Sequence, residues 1–194
     1  MLRELNHRVK NNLQLLLSMI NLHRSQGEAS PEAILDATVH RLRTIANVHE
    51  QLCISDRQTE INLPDYLLSL GEGILTTCSE SPLFIYNTNP EEVLVSIGKA
   101  IPVGLIVNEV ILNAAKHAFP SVENPALQLD CYGDEHDTTI VVVDNGIGIG
   151  GKGGLEEVGF GTLLIKSLTD QIGGTSSWAS PESGGTIFRL NLPA

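Results

Sequence analysis

The predicted fold of this chain depends most on the stretch Asn108-Glu109-Val110-Ile111-Leu112-Asn113-Ala114-Ala115-Lys116-His117. At about 100° per residue, four polar side chains fall on one side of a helix whose other side is apolar. These four are Glu109, Asn113, Lys116 and His117. Oxygen-bearing side chains at i and i+4 suit a hydrated Mg²⁺, and a lysine three residues later suits its phosphates. The alternative is an ordinary amphipathic helix whose wet side carries these residues.

Further along the chain, an apolar strand ends in an acid followed by glycines, in the stretch Val141-Val142-Val143-Asp144-Asn145-Gly146-Ile147-Gly148-Ile149. An aspartate at a buried strand end is costly unless it meets a donor, and the exocyclic amine of a nucleotide base is such a donor. The alternative is a strand followed by a tight turn, because Asn-Gly is a strong turn signal. A turn explains Asn145 and Gly146 but not Gly148.

Two glycine-rich segments come next, Gly150–Gly154 and Gly159–Thr162, and the second opens a predicted helix. A glycine-rich entry to a helix N-terminus offers backbone N–H groups to an anion such as a triphosphate. A flexible linker followed by a helix start is the alternative, and it is stronger for the first segment. Gly184-Gly185-Thr186 then precedes the last predicted strand and could turn a hydroxyl toward the same site.

The elements around these motifs predict an α+β domain over residues 59–194. Because helices and mostly hairpin-linked strands occur in separate blocks, a two-layer α/β sandwich is favoured over a doubly wound parallel sheet. Helices are expected at 63–75, 97–118 and 162–172, and strands at 83–87, 126–131, 138–143, 175–179 and 186–192.

Residues 1–58 follow a different pattern, with two amphipathic helices of narrow apolar stripe. The first helix runs from Leu2 to about Ser25, and Ser30-Pro31-Glu32 provides an N-cap, a first-turn proline and an acid for the second. The two helices form an antiparallel hairpin that covers only part of its seam, so we expect dimerisation into a four-helix bundle.

His7 lies nearly opposite the apolar stripe of the first helix and is therefore predicted to be exposed. Glu4 and Asn11, at i−3 and i+4, share its face. A neutral imidazole is a competent nitrogen nucleophile at cellular pH. On these residues alone, a merely solvated surface histidine is the stronger interpretation.

Charge and composition exclude several classes of protein. The formal net charge of −11 gives no basic footprint for nucleic acid. Three widely separated cysteines argue against a disulfide framework and a zinc site, and they favour a reducing, cytoplasmic setting. No uninterrupted apolar run reaches the roughly 18 residues of a membrane span. The helical pattern begins abruptly at Met1, so we expect a sensor domain upstream.

The stretch Glu4-Leu5-Asn6-His7-Arg8-Val9-Lys10-Asn11-Asn12-Leu13-Gln14 closely resembles the phosphoacceptor box of the HisKA_2 group of histidine kinases, related to the HWE group. The order Asn/Glu helix, Asp-x-Gly-x-Gly, Gly-x-Gly and Gly-Thr resembles the motifs of the GHKL-type ATPase fold. Gyrase, the Hsp90 chaperones, histidine kinases and mismatch-repair ATPases share that fold. Together the two resemblances cover essentially the whole chain.

The resemblance implies a role for each motif residue. It implies that His7 is phosphorylated, that Asn113 binds Mg²⁺ and that Glu109 lies near the metal or the attacking group. It implies phosphate contacts for Lys116 and His117, and an adenine contact for Asp144. The remaining expected ATP-binding residues are Gly146, Gly148, Ile149, Gly159, Phe160, Gly161, Thr162 and Thr186.

The chain also departs from the family pattern. Arg8 follows His7 where the commonest histidine kinases carry an acidic residue that assists proton removal, so Glu4 is a candidate substitute base. Asn11 resembles the amide position of phosphatase-competent kinases and could orient a water. Gly159-Phe160 replaces the usual Ser-Leu, and the lid between Gly150 and Gly159 is short.

The predicted function is that of a sensor histidine kinase core. ATP·Mg²⁺ phosphorylates His7, and the phosphoryl group passes to an aspartate on the receiver domain of a response regulator. A phosphotransfer adaptor with a scaffold-only ATP site, a regulatory serine kinase and a gyrase-like ATPase are the alternatives. The adaptor is disfavoured because Asp144, Asn113 and the Gly159/Gly161 pair are all present. The other two do not need the His7 hairpin.

Overall fold

The computed structural model describes residues 35, 38–39, 41–46, 60–76, 82–88, 92–120, 122–133, 137–148, 160–182 and 184–193. Most of the predicted hairpin, including the first helix, lies outside these residues. The predicted domain boundary near residue 58 falls between the described segments 41–46 and 60–76 and stays a prediction.

The centre of the fold is a five-stranded sheet with three helices, which confirms the α+β prediction. The strands are β1 (Glu60–Asn62), β2 (Leu83–Thr88), β3 (Leu94–Ser96), β4 (Ala126–Gly133), β5 (Asp137–Asp144), β6 (Thr175–Ala179) and β7 (Thr186–Pro193). The helices are α1 (Leu63–Leu75), α2 (Ile97–Asn113) and α3 (Phe160–Gln171). A five-residue π-helix, Ala114–Ala118, continues α2 where an uninterrupted α-helix was expected.

The main sheet has the order β2-β4-β5-β7-β6, and β1 pairs with β3 in a separate two-stranded sheet. Only the β2–β4 pair of the main sheet is parallel. The β5–β7 register places Asp144 opposite Thr186. The end of β5 and the start of β7 therefore lie side by side at one end of the strands.

Alternation along the strands sends one set of side chains into the core. Leu127, Leu129 and Cys131 of β4 are buried, as are Phe188 and Leu190 of β7. The single tryptophan, Trp178 of β6, packs against Phe188 with ring centroids 4.6 Å apart and ring planes tilted by 55°. This inner face packs against the helices, as period-2 patterning requires.

Helix α2 is the core helix and contacts both α1 and α3. Together with its π-helical extension it forms 22 residues that are long and apolar enough to cross a membrane, but 83% of the apolar window is buried within the fold. Tyr66 of α1 is fully buried with its hydroxyl against Gly104 of α2. Among the described residues, neither that hydroxyl nor the side-chain amide of buried Asn108 has a hydrogen-bond partner.

The second helix of the predicted hairpin is represented by the helical residues 41–46. Arg41, Thr44 and Ile45 are buried, and Ile45 joins the hydrophobic core formed by the sheet and α1–α3. Leu42 is exposed, as is Leu35 one heptad before it. This helix thus packs one face on the ATPase-like domain and leaves an apolar face uncovered.

Candidate functional site

Asp144 stands at the last position of β5, with its carboxylate held by backbone amides. Its Oδ1 accepts hydrogen bonds from Gly146 N at 2.9 Å and Thr186 N at 3.2 Å. Burial raises the pKa of the Asp144 carboxyl, and the hydrogen bonds from Gly146 and Thr186 offset that rise only in part. The acid is therefore fixed in direction and short of solvent, as expected for a group aimed at a ligand.

Glycines pack tightly around this acid. A side chain at Gly146 would overlap Ala118, at the end of the π-helix, and Gly185 N donates to Gly146 O at 2.8 Å. Gly148 has φ +75°, and a Cβ there would lie 2.5 Å from Ser180 Oγ. Gly185, at φ +83°, has no room for a Cβ beside the Asp144 carbonyl. The turn alone did not explain Gly148, and close packing now does.

Asn145 has a structural role. Its Oδ1 accepts from Ala126 N at 2.8 Å, and its Nδ2 donates to Asn124 O at 2.8 Å. The side chain thus ties the end of β5 to the segment that leads into β4. The tight turn at Asn145-Gly146 stays a prediction.

The polar stripe of α2 meets the start of α3. A Cβ added at Gly161 would lie 3.4 Å from Glu109 Oε2 and 3.6 Å from Asn113 Nδ2. Glu109 is buried and Asn113 is half-buried. The structure therefore brings Gly161, from one predicted motif, next to Glu109 and Asn113, from another, and a Cβ at Gly161 would be in van der Waals contact with both.

Lys116 and His117 lie in the π-helix and are exposed. Within the part of the chain that the structure describes, neither forms a hydrogen bond or ion pair. A π-turn winds less per residue than an α-helix, so the pair is rotated from the position that an ideal wheel assigns. Single π-turns of this kind occur frequently at functional sites.

Glu109 also has a partner that the sequence did not reveal. Arg41 Nε donates to Glu109 Oε1 at 2.8 Å, and Arg41 Nη2 donates to Oε2 at 3.1 Å. Only 3% of the arginine side chain and 8% of the glutamate side chain are exposed. The contact joins the hairpin segment to α2 across 68 positions of sequence, and no local pattern indicates it.

Several predicted site residues lie outside the described part of the chain: Glu4, His7, Asn11, Ile149 and Gly159. Phe160 begins α3, and Thr162 and Thr186 are half-buried.

The α2 residues suit Mg²⁺. Asn113 stands one turn from the Glu109 carboxylate on α2, and Mg²⁺ prefers a few oxygen ligands plus water and phosphate. Among the described residues no cluster of three or more His, Cys, Asp or Glu could hold a metal. The site therefore fits a metal that arrives with phosphates and not one held in a protein cage.

Comparisons with known proteins identify the family. Residues 4–78 match the HisKA_2 histidine kinase family, and residues 98–194 match the histidine kinase-, DNA gyrase B- and HSP90-like ATPase family. The chain belongs to the histidine kinases. Both family resemblances noted in the sequence are thereby confirmed.

Two relatives cover almost the whole kinase chain. Sensor histidine kinase PdtaS of Mycolicibacterium smegmatis is 28% identical over 99% of the chain, which spans 39% of that protein. The histidine kinase domain of blue-light-activated EL346 from Erythrobacter litoralis is 26% identical, with a TM-score of 0.73 over 99% of this chain and 92% of that domain. The catalytic domain of histidine kinase ThkA shares the fold, with a TM-score of 0.54 at 19% identity.

Proposed function

We propose that this kinase binds ATP between the end of β5, the start of β7, the polar stripe of α2 and the start of α3. The observation that supports this best is the convergence of Glu109, Asn113 and Gly161 on one side and of Asp144 and Thr186 on the other. Ala118 and Gly146 pack against each other and connect the two groups. Asp144 and Thr186 would face the adenine, and Glu109, Asn113 and Gly161 would face the phosphates.

At the adenine end, Asp144 accepts a hydrogen bond from the exocyclic amine. Because Gly146 N and Thr186 N fix Oδ1, the carboxylate is preorganised, and little conformational entropy is lost in orienting it when the ligand binds. Gly146 and Gly148 keep the base's edge of the site free of side chains. Thr186 adds a hydroxyl next to the same acid.

At the phosphate end, Asn113 and Glu109 are the residues that would hold Mg²⁺, which neutralises charge on the phosphates when bound. The free N–H groups at the start of α3 face the anion, and Lys116 and His117 approach from the π-helix. This arrangement gives a strongly acidic protein a local way to hold triphosphate.

In the reaction itself, an imidazole nitrogen of His7 forms a bond to the γ-phosphorus while the bond to the β–γ bridging oxygen breaks. ADP leaves with the bonding electrons, and the imidazole proton passes to a carboxylate, Glu4 or Glu109. The phosphoryl group then moves from nitrogen to an aspartate oxygen of a receiver domain. In a separate hydrolytic step, Asn11 would orient a water that cleaves this acyl phosphate to aspartate and inorganic phosphate.

The assembly, partner and location proposed for the complete protein rest on its family. A homodimer through residues 1–58, a receiver-domain partner and a cytoplasmic location are proposed for the complete protein. The chain spans about two-fifths of the length of PdtaS, and a region outside it is proposed to supply the signal.

The first prediction is that His7 takes up the label from γ-labelled ATP in a Mg²⁺-dependent manner. The label should survive base and be lost in acid, because it is a phosphoramidate. His7→Gln should remove it, and His40→Gln serves as the control because helical periodicity predicts that His40 also points away from its seam. Labelling that persists in His7→Gln and disappears in His40→Gln would refute the mechanism.

A further inference from the structure

The ion pair between Arg41 and Glu109 joins the predicted hairpin to the ATP-binding domain. Arg41 belongs to the hairpin, and Glu109 belongs to the ATP-binding domain. Both donor nitrogens of one edge of the guanidinium meet both oxygens of the carboxylate, at 2.8 and 3.1 Å. Such two-pronged, charge-assisted bonds are the strongest and most directional that side chains make.

Hydrophobic packing accompanies the ion pair. Thr44 and Ile45, at i+3 and i+4 from Arg41, lie on the same helical face and are 1% and 8% exposed. Ile45 belongs to the core of the ATP-binding domain. Arg43, two residues after Arg41, is exposed. The contact is therefore a docked face of a helix and not an isolated surface bridge.

The position of Glu109 gives this contact a chemical consequence. Its Oε2, which accepts from Arg41 Nη2, also faces Gly161 at the start of α3, and Asn113 follows one turn later on α2. A guanidinium that bonds to both oxygens neutralises the charge of the carboxylate and covers one of its edges, which weakens it as a base and as a ligand for a hydrated metal ion. The docked arrangement therefore removes Glu109 from the chemistry.

We propose that Arg41 is a positioning residue that latches the hairpin onto the ATP-binding domain and holds Glu109 out of use until the pair opens. The latch rests on the proposed kinase activity for its effect on rate. Breaking a buried pair from one side leaves the other charge without a counter-ion. Loss of Arg41 thus disfavours the docked state and leaves Glu109 in water, available to the nucleotide.

The test compares Arg41→Gln with Arg43→Gln, which removes the same charge from an exposed site two residues away. In Arg41→Gln we expect the initial rate of His7 labelling to rise about tenfold, since tenfold equals about 1.4 kcal/mol and a broken buried pair exceeds that. Arg43→Gln should match the wild type. Arg41→Lys keeps the charge but loses the two-pronged geometry, and should lie between them.

Amide hydrogen exchange of residues 41–46 without nucleotide is the second measurement. It should accelerate in Arg41→Gln and not in Arg43→Gln. Unchanged exchange in Arg41→Gln overturns the docking role, and a labelling rate that stays level or falls while the wild type is active overturns the latch. If the wild type takes up no label at all, the proposed function fails, and the exchange result alone decides whether Arg41 docks the hairpin.

Discussion

At the scale of single residues, Asp144 carries two opposing demands. The carboxylate must be ionised to accept from a base amine, yet burial disfavours its ionised form and raises its pKa. The folded state therefore binds the Asp144 proton more tightly than the unfolded state does. The corresponding stability is present below the unfolded pKa and is lost as pH rises through the folded pKa.

We predict that Asp144→Asn abolishes ATP binding in calorimetry and leaves the nucleotide-free protein at least as stable as wild type near neutral pH. An asparagine oxygen can still accept from Gly146 N and Thr186 N, but its amide presents donors to the adenine amine. The thermal midpoint of wild type should fall as pH rises above the ordinary Asp pKa of 3.8, because the Asp144 proton is lost. In Asp144→Asn this part of the pH dependence should be absent.

Asp170→Asn, which removes the same charge from an exposed position of α3, is the control and should retain ATP affinity. ATP affinity in Asp144→Asn within a fewfold of wild type would contradict the adenine contact.

The residues that sequence could predict are those whose neighbours in the chain explain them. Asp144, Gly146 and Gly148 stand where a strand ends, and Asn113 stands on a polar stripe, so local patterns indicate all of them. Arg41 shows nothing comparable, because a single arginine on an amphipathic helix usually lies on a solvated face. Its role depends on a partner 68 positions away.

At the scale of elements, the crossing of α1 and α2 is set by a single glycine. Gly104 lies under the ring and hydroxyl of Tyr66, which is fully buried. Because α2 contacts α1, α3 and the strands around them, a shift of α2 at this crossing would move Glu109 and Asn113 as well. The geometry of the site thus depends on a contact away from it.

We predict opposite outcomes for two Gly→Ala substitutions in helices. Gly73→Ala, at a position with no atom within 4 Å of a new Cβ, should stabilise the fold by about 0.5 kcal/mol or slightly more. Gly104→Ala should cost about 1–3 kcal/mol, because the new Cβ overlaps Tyr66. Denaturant unfolding of both variants measures the difference.

Tyr66→Phe gives a control for the second substitution. It removes a buried hydroxyl that has no partner, so it should be neutral or stabilising by itself and should reduce the cost of Gly104→Ala. An equal cost of Gly104→Ala with and without the hydroxyl would assign the destabilisation to something other than this contact.

Most elements could be predicted from periodicity, and the misses have physical reasons. Helix Leu63–Leu75 and strand Thr175–Ala179 have the predicted bounds, and the other predicted elements of this domain differ by a few residues at their ends. Strands β1 and β3 have three residues each, too few to show an alternation. The π-helix at Ala114–Ala118 leaves no mark in apolar spacing.

At the scale of the whole molecule, the described part of the hairpin leaves two large apolar side chains uncovered. Leu35 is 64% exposed and Leu42 is 46% exposed, and both helical positions lie seven residues apart. That spacing is typical of a helix seam that packs on other helices. The homodimer proposed for residues 1–58 would cover it.

We predict that Leu42→Glu converts the protein from dimer to monomer in light scattering, because a charge in the seam has no partner there. Arg43→Glu introduces the same acid at the neighbouring exposed position and should remain dimeric. A monomeric wild type, or a Leu42→Glu variant that stays dimeric, would exclude this seam as the dimer contact.

The Trp178–Phe188 pair lies in the part of the chain that holds all of its aromatic chromophores. Every tryptophan, tyrosine and phenylalanine lies after residue 58, so residues 1–58 contribute no near-ultraviolet chromophore of these kinds. Tryptophan emission comes from one indole on β6, next to the strand that begins at Thr186. An emission change on adding nucleotide would therefore report the β6–β7 side of the sheet, whereas rearrangement within the hairpin would be visible only in far-ultraviolet dichroism.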